Sequence, residues 1–143
     1  MVYAFAYSIK YEQNKRIFID KKNILILSTK RNKLCIGTKL LFYNPLPISA
    51  LVGEAIITEL YLDFAENILT IFNETILQKD DLEKYIIKSP IKYSTRKERS
   101  NKKFTIIKFD SIIKYPKPLK LSKIMNPTGI YIDYTEYCNL HSK

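Results

Sequence analysis

With 143 residues, 46% of them hydrophobic and 27% charged, the chain has the size and composition of one globular domain with a real core rather than of a disordered segment. It has no apolar run long enough to span a membrane, and its opening residues, small and aromatic in alternation, meet Lys10 too soon for a signal peptide. Cys35, Cys138 and the single His141 leave no material for a zinc site, a Cys/His dyad or a Ser-His-Asp triad, while the formal net charge of +10 turns attention to a polyanionic partner.

Taken in chain order, residues 2–9 read as the first strand, rich in β-branched and aromatic side chains. A short helix with weak periodicity is expected over residues 11–18, followed by a strand at 23–28. Gly37-Thr38 turns the chain into a third strand, 39–44, which Asn44-Pro45-Leu46-Pro47 closes because proline cannot continue a central strand. The fourth strand covers 50–61, and Gly53 within it marks a bulge or a close backbone approach. From Asp63 the period changes: Phe64, Ile68, Ile71 and Phe72 fall on one helical stripe. Asp80 and Glu83 form an acidic capping box opening a second helix with Leu82, Tyr85 and Ile86 on one face. Residues 88–103 have no hydrophobic periodicity and read as a basic surface loop. Strands follow at 103–113 and 129–134, separated by Tyr115-Pro116-Lys117-Pro118, read as an extended turn. So many strands in so short a chain favour a closed or half-closed barrel, since closure removes exposed edges. The domain is expected to span 1–134, with 135–143 as a C-terminal tail.

The charge is segregated. Residues 1–53 sum to +7, residues 54–83 to −7, residues 84–123 to +11 and the remainder to −1. One strongly basic face and an acidic patch elsewhere are the expectation, and the basic face suits nucleic acid.

Gly37-Thr38-Lys39-Leu40-Leu41-Phe42-Tyr43 followed by Val52-Gly53-Glu54-Ala55-Ile56 resembles a pattern found in a small archaeal family of uncharacterised PUA-like proteins. The resemblance continues in Leu77-Gln78-Lys79-Asp80-Asp81-Leu82-Glu83-Lys84-Tyr85, resumes from Ile107 to Pro118 and closes with Gly129-Ile130-Tyr131-Ile132, so it covers roughly residues 2–132. It implies a PUA-like pseudobarrel, and with the elements read above the expected fold is α+β: a small mixed β pseudobarrel of about six strands with a two-helix insertion and a short N-terminal helix. It also implies RNA binding, with a base, modified or not, held at the barrel mouth. Phe42-Tyr43-Asn44-Pro45 stands where the related ASCH pattern carries Glu and Arg, and the chain has no tryptophan for the aromatic cage of a YTH domain.

Several residues are candidates for holding nucleic acid. In the basic loop, Tyr93 is available to stack on a base. Arg96, Lys97, Arg99 and Lys102 are available to phosphates, the arginines through bidentate forks; a solvated loop without a partner is the plainer reading of the same run. Lys30, Arg31 and Lys33 with Lys39 put cations beside Phe42 and Tyr43, the combination a single-strand binder needs. Strand alternation separates those two rings. Phe42 is the natural core residue, and Tyr43 either lines a pocket or packs at the barrel rim. Glu54, a carboxylate in an apolar strand, is costly to bury unpaired. It either accepts hydrogen bonds from a base edge or forms a salt bridge with Lys39 on the neighbouring strand. Lys114 and Lys117 extend the basic face, and Tyr131 stands near the entrance of the closing strand.

The leading expectation is a non-catalytic module for RNA or other single-stranded nucleic acid, with a pocket near Tyr43, Glu54 and Tyr131. It requires no cofactor, metal or membrane, and reduced cysteines suit a cytoplasmic protein. Two rivals stand beside it: an ASCH-like amidohydrolase of modified nucleosides using Lys39 as amine and Glu54 as acid/base, and a module that presents its basic face to an acidic protein.

Overall fold

The computed structural model describes residues 2–27, 31, 33–72, 75–77 and 103–142. Their elements are β1 (Ala4–Ser8), a 3-10 turn (Tyr11–Gln13), α1 (Asn14–Phe18), β2 (Ile24–Leu27), β3 (Lys39–Asn44), β4 (Ala50–Phe64), α2 (Ala65–Phe72), β5 (Lys103–Leu119), β6 (Ile130–Ile132) and α3 (Tyr134–His141). The strands form one six-stranded sheet in the order β2-β5-β4-β3-β1-β6. β1 and β3 are parallel, which requires a crossover; the 3-10 turn, α1 and β2 lie within it. The other pairings are antiparallel.

Curvature comes from β4 and β5, 15 and 17 residues long. They pair along most of their length, with register shifts at three places, and bulges of this kind bend strands and increase their twist. The sheet therefore wraps its inner face around Phe5, Leu25, Leu27, Leu40, Phe42, Val52, Ala55, Ile57, Ile107 and Phe109, with Ile17 of α1 among them. Its outer face carries Ala4, Ala6, Leu41, Leu51, Tyr115 and Ile132, against which Leu140 of α3 packs. The far edge of β2 is covered: the Ile24 N–H donates to the Thr75 carbonyl at 3.1 Å and the Leu77 N–H to the Ile24 carbonyl at 3.0 Å. This is a mixed α+β pseudobarrel, as expected.

Gly53 meets both expectations for it. The β4–β5 register shifts beside it, and a Cβ there would lie 2.5 Å from the Phe18 ring and 2.6 Å from the Ile113 carbonyl oxygen.

Three local expectations need correction. β5 does not end before Tyr115 but runs through Pro116 and Pro118 to Leu119. Between the pairs Gly53–Lys114 and Leu51–Leu119, four β5 residues face one on β4, and this wide bulge takes both prolines out of the ladder they cannot donate to. Where a C-terminal tail was expected from 135, α3 occupies 134–141, beginning where the last strand was expected to continue. Its signal was a capping box: the Glu136 N–H donates to the Asp133 carboxylate at 2.8 Å, and the Asp133 N–H donates to the Glu136 carboxylate at 3.4 Å. In α2, Ile68 is buried but Ile71 is 65% exposed, so the apolar stripe is narrower than its spacing implied. The helix expected near residue 80 lies outside the described residues.

Candidate nucleic-acid interface

Glu54 sits on the outer face of β4, opposite Leu41 of β3, and is only 4% exposed. Lys39, two positions earlier on β3, reaches its Oε2 at 3.1 Å. The other oxygen, Oε1, accepts from the Tyr115 hydroxyl at 2.8 Å and the Tyr137 hydroxyl at 2.7 Å, and His141 Nε2 lies 3.3 Å from it. Tyr137 and His141 come from one face of α3, four residues apart, with their rings 4.6 Å apart. Lys39 Nζ lies over the Tyr137 ring at 5.2 Å.

Burial by itself raises the Glu54 pKa. The hydrogen bonds from Tyr137, Tyr115 and Lys39, together with the Lys39 charge, outweigh it and leave the group below its ordinary 4.5. Glu54 is thus an ionised carboxylate whose two oxygens are already engaged, and the cluster ties α3 to the sheet. The salt bridge with Lys39 is the reading of Glu54 that the geometry favours.

Two hollows among the described residues adjoin each other, neither of them lined by Glu54 or Lys39. One of about 530 Å³ is lined by Tyr11, Asn14, Lys15, Phe18, Ile48, Val52 and the β5 residues Lys114, Tyr115, Pro116 and Pro118, among others. A second, of about 600 Å³, is lined by Lys10, Pro45, Leu46 and Pro47. Tyr11, Glu12 and Ile48 belong to both, so the two adjoin across the 3-10 turn and the β3–β4 connection. Tyr11 is 64% exposed between them. Lys10, Lys15 and Lys114 supply cations, against which Glu12 is the one acid among the lining residues. An exposed ring set among apolar side chains and three lysines is an arrangement on which a planar aromatic ligand can stack.

The expected site residues do not all converge. Phe42 is in the core, tilted 5.4 Å from Phe109. Tyr43 is half-buried against the outer-face cluster around Leu41 and Leu51. Tyr131 stands opposite Phe5 on the inner face, so the sheet separates it from Tyr43 and Glu54, and the three do not form a common pocket. The register decides this: Leu41 pairs with Ala6, and Ala6 with Ile130, so Ile130 shares the face of Tyr43 and Tyr131 takes the other. The Arg31 guanidinium lies 5.3 Å from the Phe5 centroid and 5.8 Å from that of Tyr131. Lys114 lines the hollow of about 530 Å³, and Lys117 is exposed on the same strand. Lys30, Tyr93, Arg96, Lys97, Arg99 and Lys102 lie outside the described residues. The residues that sequence reasoning passed over are Lys10, Tyr11, Lys15 and Phe18 in the hollows and Tyr115, Tyr137 and His141 around Glu54. The i, i+4 spacing of the last two, behind a capping box, was the available signal.

Among the described residues no group of three His, Cys, Asp or Glu side chains is placed to hold a metal ion, and no helix is long and apolar enough to cross a membrane.

A family model described as Domain of unknown function (DUF365) matches residues 2–134. No curated protein matches the sequence. Among solved structures, ASCH from Zymomonas mobilis is similar with a TM-score of 0.74 at 15% identity, over 98% of this chain and 94% of that one. The N-terminal domain of Staphylothermus marinus McrB follows with a TM-score of 0.61 at 12% identity, over 100% and 95%. A hypothetical protein from Leishmania major gives 0.54 at 14% identity, over 97% and 92%. At such identities the likeness is one of fold.

Proposed function

The chain belongs to the DUF365 family, and from that premise and its PUA-like fold we propose that it is a non-catalytic module for RNA or another single-stranded nucleic acid. The observation that carries the reading is the pair of adjoining hollows at Tyr11, bordered by Lys10, Lys15 and Lys114. Aromatic stacking accepts any base, and lysines along the track hold phosphates without reading sequence. Strong net positive charge and its segregation along the chain support the same partner, as does the RNA binding that a PUA-like resemblance implies.

Fluorescence anisotropy with labelled single-stranded RNA, single-stranded DNA and duplexes, each at several salt concentrations, tests the reading. Single strands are expected to bind more tightly than duplexes, with an affinity that falls steeply with salt. No binding at low salt would overturn it.

A second reading, an ASCH-like amidohydrolase of modified nucleosides, draws on the 3.1 Å contact between Lys39 and Glu54. Against it, both groups are spent on each other and on α3, and a general base needs a free lone pair within reach of substrate. Turnover of modified nucleosides by the purified protein, abolished in Glu54→Gln, would establish this reading in place of the first.

A further inference from the structure

We infer that Arg31 is the core of a phosphate-recognition site on the inner side of the β1–β6 edge. The inference deepens the nucleic-acid reading and rests on it for what carries the phosphate. Arg31 lies in the connection from β2 to β3, its carbonyl accepting from the Leu34 N–H at 3.4 Å. Its guanidinium is laid over Phe5 and Tyr131, two rings tilted against each other at 5.4 Å. Two of its nitrogens, Nε and Nη2, are buried and have no hydrogen-bond partner. Such orphans are rare, because a buried donor left unmade costs its full desolvation.

The identity of the orphaned pair points to the ligand. Nε–H and the nearer Nη2–H run parallel along one edge of the guanidinium, spaced to meet the two oxygens of an oxyanion. The third nitrogen is not among the orphans. Lys33 adds a second cation, its Nζ 5.4 Å from the Tyr131 centroid. Among the described residues neither Arg31 nor Lys33 has a carboxylate in an ion pair. Two cations gathered on one ring repel each other, and a neutral base edge would leave that charge uncompensated. An anion resolves both, so the fork takes a phosphate rather than a guanine edge. Phe5 and Tyr131 hold the fork flat and in place, which lowers the ordering cost of binding.

A nitrogen–proton NMR titration of the full chain tests this by following the arginine side-chain Nε–H signals, with Arg31→Lys identifying that of Arg31. The probes are inorganic phosphate at constant ionic strength and a short single-stranded RNA with either a phosphate or a hydroxyl at its 5′ end. The Arg31 signal is expected to move with phosphate and with at least one RNA. That of Arg16, whose Nη1 already donates to the Leu77 carbonyl at 2.7 Å, is expected to stay. A response to both RNAs assigns the site to an internal phosphodiester; a response confined to the phosphorylated RNA assigns it to a terminal phosphate. Arg31→Lys keeps the charge but loses the fork, so affinity for the responding RNA falls roughly tenfold with the salt slope retained. Arg31→Met lowers that slope by about 0.7. An Arg31 signal unmoved by every probe overturns the site, and if RNA binding still depends on Tyr11 the module reading survives that failure. Conversely, phosphate that moves Arg31 in a chain that binds no RNA upholds the site and removes the module reading.

Discussion

Glu54 is buried, which opposes its charge, and surrounded by donors that favour it. Since its folded-state pKa is lowered below the ordinary 4.5, the unfolded chain binds a proton more readily than the folded one. The stability it contributes is therefore complete above about pH 4.5 and is lost as pH falls through the folded value. Urea midpoints measured across the acid range are expected to show this loss, and Glu54→Gln is expected to lack that component. Glu54→Ala goes further, leaving Lys39 and two tyrosyl hydroxyls without their acceptor, at a cost of about 3 kcal/mol in urea unfolding. Burial first, and then the bond to Glu54, raises both tyrosine pKa values above the ordinary 10. The two hydroxyls accordingly remain donors into the alkaline range. Tyr137→Phe removes one bond to a charged acceptor and is expected to cost about 2 kcal/mol by the same measurement. The oddity of Glu54 was legible in the sequence, since a carboxylate in an apolar strand needs a partner, and so was Lys39 on the adjoining strand. Tyr115 and Tyr137, 61 and 83 residues away, were not, because no local pattern relates them to position 54.

At the scale of elements, α3 and the β4–β5 pair set the outer and inner faces. α3 is short, and the Asp133–Glu136 capping box holds its first turn. Asp133→Ala is expected to cost about 1 kcal/mol, read as a lowered thermal midpoint. Its helix carries Tyr137, His141 and Leu140 onto the sheet, so fraying also loosens the Glu54 cluster. Gly53 leaves the room that the Phe18 ring of α1 occupies against the sheet. Gly53→Ala would press a methyl group on the Phe18 ring and on the fixed Ile113 carbonyl, and a loss of about 1–3 kcal/mol is expected in urea unfolding. The strand itself and the special place of Gly53 were readable from residues 50–61 alone. The continuation of β5 past Pro116 was not, because a proline is excluded only from a regular ladder and the bulge that accommodates it is made with another strand.

At the scale of the molecule, the fold gathers Lys10, Lys15 and Lys114 from distant parts of the chain around the hollows at the exposed ring of Tyr11. The two parts are separable by experiment. Tyr11→Ala is expected to weaken single-strand binding by about 1–3 kcal/mol with the salt slope unchanged. Lys114→Ala is expected to lower the slope by about 0.7 with a smaller loss at high salt. Anisotropy titrations at several salt concentrations read both. Equal effects of the two substitutions on affinity and slope would argue against a stacking platform flanked by a phosphate track.

What the residues determined by themselves was everything carried by short-range periodicity: the six strands, the short helix before β2, and the separation of Phe42 from Tyr43 onto opposite faces. Alternation along a strand is a property of the backbone and needs no partner. The tertiary structure decided which of those faces came together. Tyr131 lies across the sheet from Tyr43 and Glu54 because β6 pairs with β1 in one register, and a shift of one residue would have reversed it. Register between strands more than 80 residues apart is settled by packing on both faces at once, so the meeting of Arg31 with Tyr131, and of Glu54 with α3, follows from the folded chain and from no stretch of it alone.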